Sequence, residues 1–327
     1  MKKSIVKGLV IIVCLGLIAL LPQILPVVHI NMLIEIAFFS LLAVSYSMLF
    51  GHGGLLSFGH AAYFGIGAYT MALLIKHIAG IPLLLSLLMG GIAGGLGGLL
   101  AGVFCVRLKR AYFALLTIAF NQFFYAVALK WRSFTRGDDG LSLKRPDLYL
   151  PGLGSIDMGK IANVYYLVVM ITLLCILAQW YLTKTPFGNS IRTVKENDER
   201  ADFIGYNVFL TKLSLYTISS FFAGIAGGLF AFFQRFVSTG AIDAHMSMQV
   251  IFMTFIGGVG SFFGPILGTA VYLYFTDWVS RVTERWEFVL GVLFILLVMY
   301  ARTGLVGLIS IERLKRLVRL TGKGKAV

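Results

Sequence analysis

Residues 83–106 read Leu83-Leu-Leu-Ser-Leu-Leu-Met-Gly-Gly-Ile-Ala-Gly-Gly-Leu-Gly-Gly-Leu-Leu-Ala-Gly-Val-Phe-Cys-Val106, without a single charge. As a helix, such a run is long enough to cross the ~30 Å hydrocarbon core of a bilayer. Further apolar runs cover 32–50, 55–75, 111–129, 162–182, 213–233, 249–276 and 288–301. Another follows Met1-Lys-Lys-Ser-Ile-Val-Lys7 and extends to Leu25. That opening also has the pattern of a signal peptide. No small-x-small cleavage site follows it and the chain continues hydrophobic, so it is read as an uncleaved first span. The whole chain of 327 residues is 58% hydrophobic and 13% charged. A soluble domain carries about 25% charged residues, and a disordered chain could not leave this much apolar surface in water. The expected fold is an all-α polytopic membrane protein with about eight transmembrane helices plus one re-entrant or broken segment.

The broken segment is 249–276. Most prolines mark the edges of runs, whereas Pro265 lies inside one, next to a glycine cluster. Gly257, Gly258, Gly260, Gly264 and Pro265 predict two half-helices around a break. Irregular backbone in a membrane survives only where protein or a polar cavity satisfies it.

Charge gives an orientation. Segments 1–8, 107–110, 184–212 and 302–327 hold 18 Lys and Arg against 5 acids, and the remaining loops hold 10 against 8. Cytoplasmic loops collect Lys and Arg, so the first set, both termini included, is expected in the cytoplasm. The runs then alternate only if 249–276 enters and leaves on the outer side. The net charge of +14 thereby has a cause other than nucleic acid. The three cysteines lie in apolar runs, with no metal-ligand spacing.

Two glycine clusters echo each other. Gly51-His-Gly-Gly-Leu-Leu-Ser-Phe-Gly59 and Gly257-Gly-Val-Gly-Ser-Phe-Phe-Gly264 both lead to Ser-Phe and another glycine. Interrupted segments in corresponding halves can mark a transporter's midplane site, and the alternative is coincidence in a glycine-rich chain. Gly90, Gly94, Gly98 and Gly102 form one helical ridge, and Gly224 and Gly228 a shorter one; both read as packing surfaces.

The chemistry is sparse. No phosphate-binding G-x-x-x-x-G-K-[ST] loop occurs, so the chain does not hydrolyse ATP itself. Among Asp, Glu, Lys and Arg, only Glu35 falls within a run, near its outer end, which argues against a proton carrier. Ser57, Phe58, Gly59, His60, Asn121 and Gln122 are the candidate residues of a translocation path. His60 reads as a packed residue bordering it, sharing a helix face with Ser57. Asn121 and Gln122 could equally bond neighbouring helices. Segment 190–204, with Gly205 as its stop, reads as a short helix along the cytoplasmic face or as a solvated loop.

These residues carry a resemblance. Leu56-Ser-Phe-Gly-His-Ala-Ala-Tyr-Phe-Gly-Ile-Gly-Ala-Tyr69 resembles the hallmark segment of LivM-type permease subunits of branched-chain amino-acid ABC importers. Ile191 to Gly205 resembles that family's cytoplasmic loop. Within it Glu199-Arg200-Ala201, three residues and Gly205 match the E-A-A-x-x-x-G pattern, with Arg200 in place of the middle alanine. Gly257 to Gly268 and Thr135 to Ser142 resemble two further family segments. The resemblance implies a single transmembrane permease domain over 1–327, with a coupling loop at 184–212 and a basic cytoplasmic tail at 302–327. It implies no enzymatic activity, no cofactor and no metal in this chain; ATP and magnesium belong to partner subunits. Those partners would be a homologous LivH-type permease, two cytoplasmic ATPases and an extracytoplasmic substrate-binding protein, gathered at the bacterial inner membrane. Glu196, Glu199, Ala201 and Gly205 would contact an ATPase. Leu, Ile and Val are the implied solutes, with urea, short amides or other amino acids as alternatives. A passive channel and a sodium-coupled carrier are the rival mechanisms.

Overall fold

The computed structural model describes residues 21–78, 80–150, 154–300 and 304–309. Most of the expected first span, and residues 302–303 and 310–327 of the basic tail, lie outside the described residues.

The chain is a bundle of antiparallel helices. α1 (Val27–Ser47) ends in a wide π turn, Met48–His52. α2 (His60–His77), α3 (Leu83–Cys105) and α4 (Ala111–Lys130) follow. Next come a single turn, α5 (Arg132–Thr135), and three short strands: β1 (Leu141–Ser142), β2 (Leu148–Leu150) and β3 (Gly154–Ile156). α6 (Ile161–Leu182) leads to α7 (Pro186–Glu196) and α8 (Asp198–Phe203). The long α9 (Val208–Gln234), β4 (Phe236–Val237), α10 (Ala244–Gly257), α11 (Gly264–Val282), α12 (Trp286–Tyr300) and α13 (Gly304–Ile309) complete the described chain. Among the described residues α1 with its π turn, α3, α4, α6 and α9 are long and apolar enough to cross a membrane. One end of the bundle carries α7 and α8 and is called here the loop end. The other carries the strands and is the strand end.

Glycine decides which helices touch. The α3 ridge of Gly90, Gly94, Gly98 and Gly102 lies against α2 and α9. A Cβ on Gly94 would stand 2.8 Å from the Cα of Gly224 and 2.9 Å from the Ser220 carbonyl oxygen. Gly67 of α2 abuts Gly224, and Gly227 of α9 abuts the Phe64 carbonyl. Backbones this close gain dispersion that larger side chains would forbid, and lipid supplies no competing hydrophobic drive. The ridge is therefore packing within this chain. The polar ends of α2, His60 and Lys76-His77, make it less apolar than its neighbours, and it sits in the middle of the bundle.

Arg145 fastens the strand end. Its guanidinium donates to the carbonyls of Phe232 (3.3 Å), Phe233 (2.9 Å) and Met158 (3.2 Å) and lies over the Phe232 ring. Phe232 and Phe233 are in the last turn of α9, where carbonyls lack intrahelical donors and the helix dipole favours a cation. Burial, and then the charge of Arg235, lowers the Arg145 pKa to about 10, so it remains cationic at neutral pH. Arg145→Ala should destabilise the protein by roughly 2–3 kcal/mol, because these carbonyls lose charged donors. Thermal unfolding in detergent measures this, and a midpoint equal to wild type would contradict it.

Three features refine or correct the sequence reading. First, 249–276 is broken as expected, and the chain leaves and returns at the strand end. The corner lies at the loop end: Gly51, next to α7, packs on the Val259 carbonyl. Second, a different stretch is irregular at depth. Residues 238–243 lead down from β4, and Ile242 lies against Gly65 of α2 and accepts from Asn121, halfway along α4. α10 starts there and is consequently short. Third, Ser57 is not on a helix with His60. The chain from Gly53 to Gly59 is non-helical, and His60 opens α2.

Candidate functional site

The loop end presents a built surface. Pro186 starts α7 at a position where its missing N–H costs nothing. Gly188, Ile191 and Val194 are buried along one face, a stripe that the alternating charges of this segment obscure in the sequence. The chain then breaks at Asn197 (φ −161°, ψ 110°), so the expected single helix over 190–204 is two helices. The Asn197 side chain caps α8 by accepting from the Arg200 N–H at 3.0 Å. Ala201 is fully buried and anchors α8. Gly205, at φ +91°, ends it in the left-handed region, and open space surrounds its Cα.

Among the exposed charges of α8, two apolar side chains also face outward. Phe203 is 91% and Ile204 62% exposed. Glu196 and Glu199 are exposed beside them. Glu199 meets Lys109 at 3.8 Å with both side chains in solvent, so that pair contributes little. Asp198 pairs with the partly buried Lys212 and ties α8 to α9. A cavity of about 390 Å³ between α7, α8 and the 53–55 and 108–110 turns is lined by charged side chains of both signs.

Lys195 carries no signal in the sequence, being one lysine in a charged loop. Its ammonium donates to the Gly51 carbonyl at 2.6 Å. In the π turn the Met48, Phe50 and Leu49 carbonyls accept from Gly53, Gly54 and Leu55, and Lys195 serves the next one. Gly51 also faces the Val259 carbonyl of the α10–α11 corner, and the His52 ring stands edge-on to Phe262 at 5.9 Å. The two echoing glycine clusters therefore meet in space. At the corner itself, Gly257 ends α10, Gly258 turns at φ +106°, Gly264 and Pro265 open α11, and Gly260 has open space around it.

The interior candidates are packed. Ser57 Oγ accepts from the Gly59 N–H at 3.2 Å, and the Phe58 N–H donates to Thr117 Oγ1 at 3.0 Å. His60 Nε2 lies 3.0 Å from Ser45 Oγ, whose own proton goes to the Leu42 carbonyl at 2.7 Å. The imidazole and the serine hydroxyl are hydrogen-bond partners inside the bundle. Tyr46 and Tyr63 stand edge-on to the His60 ring, and the Tyr63 and Tyr216 hydroxyls bond at 2.7 Å. Ser57, His60 and Asn121 are fully buried, and Gly59 backs onto Thr117 and Asn121. The structure therefore gathers Ser57 to His60 with Asn121. Gln122 is apart from them, exposed on the outer face of α4.

The comparisons agree with this architecture. Residues 28–298 match the family model described as branched-chain amino acid transport system / permease component. The high-affinity branched-chain amino acid transport system permease proteins LivM of Salmonella typhimurium (strain LT2) and Escherichia coli (strain K12) are each 26% identical over 279 residues. Those alignments cover 80% of this chain, which spans 65% of the length of either relative. The guanosine ABC transporter permease protein NupQ of Bacillus subtilis is 40% identical over 85 residues, 25% of this chain and 27% of that protein. No solved structure matches. With a helical bundle of membrane-spanning length and a family match over most of its residues, this multi-pass membrane protein belongs to the branched-chain amino acid transport system permease family.

Proposed function

We propose that this chain is the transmembrane permease subunit of an ATP-driven ABC importer that carries leucine, isoleucine and valine into the cell. The observation that carries this reading is the α8 corner. Two exposed apolar side chains stand outside the spans, on a short helix capped by Asn197, anchored by Ala201 and stopped by Gly205. Such a surface needs a partner, and a cytoplasmic ATPase fits its place among the basic loops. Glu196, Glu199, Ala201 and Gly205 belong to it as contacts or supports. The loop end then faces the cytoplasm with both termini, and the strand end faces the binding protein. ATP and magnesium act on the two ATPases and nothing is hydrolysed here.

A LivH-type permease would cover α4. Of the five long helices α4 is the least buried, 28% of its apolar window against 78% for α9. It carries Gln122 on the exposed face, at mid-length, where an amide facing lipid would be costly. Gln122 faces the partner or the path between the two. Ser57, Phe58, Gly59, His60 and Asn121 support that path from behind rather than contacting solute.

Uptake into proteoliposomes holding the assembled complex tests this. Leucine uptake should require ATP inside and binding protein outside, and should not require sodium. The solute panel should include urea, guanosine, fructose and xylose. Uptake without ATP would mean a facilitator, and strict sodium dependence a coupled carrier. In a background without native cysteines, Asp139→Cys and Asp198→Cys should label from opposite sides of the membrane. Labelling from one side would overturn the orientation.

A further inference from the structure

We propose that Lys195 is a positioning residue that transmits movement of the α7–α8 surface to the interior, by holding the π turn of α1 against the α10–α11 corner. The inference rests on the importer reading above and deepens it. Three observations converge. The Lys195 ammonium caps the Gly51 carbonyl, and its stem lies over Gly54, whose φ of +69° allows the chain to pass beneath it. Gly51 is pressed on the Val259 carbonyl, with no room for a side chain between them. His52 meets Phe262 of the same corner. One ammonium therefore links the docking loop to both glycine breaks.

The element it holds is the π turn Met48–His52. A π turn is a local departure from the α-helix that can be exchanged for α-helical or 3₁₀ hydrogen bonding, and such turns gather at functional sites. Changing the bonding at residues 48–52 would turn the end of α1, which carries Ser45 and thereby the His60 bond. In this proposal a pull on α7 reaches the buried residues through packed groups, with a change of bonding in the π turn as the step that converts it.

The test uses the reconstituted complex with Lys195→Met, Lys195→Arg and Gly51→Ala. Gly51→Ala keeps the lysine but places a Cβ 2.7 Å from the Val259 oxygen, so it reads the same junction should the methionine variant assemble poorly. The quantity measured is solute moved per ATP hydrolysed, beside complex yield and basal hydrolysis. Lys195→Met should lower that ratio roughly tenfold, a coupling free energy within the usual range for linked sites, at unchanged yield and hydrolysis. Lys195→Arg, which still donates to the carbonyl, should recover most of it, and Gly51→Ala should behave like the methionine variant. An unchanged ratio in Lys195→Met and Gly51→Ala overturns the proposal. So does equal loss of hydrolysis and uptake that arginine fails to rescue, since that would be a docking or folding role. Absence of ATP-driven uptake in the wild-type complex would instead defeat the importer reading.

Discussion

Gly227→Leu is expected to prevent the protein from accumulating in the membrane. A Cβ at Gly227 would overlap the Phe64 carbonyl and approach the Ala68 nitrogen at 3.1 Å. Both are backbone atoms of α2, so no rotamer relieves the clash. The neighbouring contacts of Gly67 on Gly224 and of Gly94 on Gly224 and Ser220 hold α2, α3 and α9 at one spacing. Separating them to admit a leucine would break all of these contacts at once. Overpacking costs about 1–3 kcal/mol where side chains can shift, and more where backbone must. Membrane proteins have only small net stabilities, so the folded fraction should fall below detection. The control is Gly291→Leu, because nothing lies within 4 Å of a Cβ there. Yields measured by fluorescence-detected chromatography of tagged variants should separate the two. Equal yields would mean that the three-helix contact does not limit folding.

Phe203→Asp should abolish ATPase association and energised uptake while leaving the yield of this chain unchanged. Its ring is 91% exposed and contributes almost nothing to the internal core. Aromatic anchors of this kind carry about 2–4 kcal/mol at interfaces, and an aspartate there would also meet a desolvated site with an unpaired charge. Binding would weaken by a factor of roughly 30 to 1,000. Gly205→Trp should produce the same loss by a different cause. The surrounding space accepts the ring, and the positive φ costs about 1–2 kcal/mol, so the bundle persists while the docking corner changes shape. Co-purification of the ATPase with each variant measures both effects. Wild-type association in both would remove α8 from the interface.

Much of the architecture was legible because a bilayer demands it. Each apolar run had to be a helix with its backbone bonds satisfied internally, and seven of the expected runs are single helices whose ends fall within five residues of those expected. The break at Gly257 to Pro265 was legible for a local reason, since proline and clustered glycine disfavour continuous helix. Gly205 was legible as a stop on the same grounds. The α7 stripe was missed because only Ile191 and Val194 carry it, amid charges that point to solvent. The break at Asn197 was missed because asparagine reads equally well inside a polar helix and as a cap.

Taken alone, the sequence determined that the chain is a multi-pass helical membrane protein, where its helices bend, and which family it resembles, because bilayer solvation and glycine or proline conformation act on a few neighbouring residues. Only the tertiary structure decided that the two glycine clusters meet, that Ile242 returns to the level of Asn121, that His60 bonds Ser45, and that Lys195 caps α1. Each of these joins residues distant in the chain. The glycine ridges mark surfaces for close packing, but which helix meets which, and at what register, depends on the whole bundle.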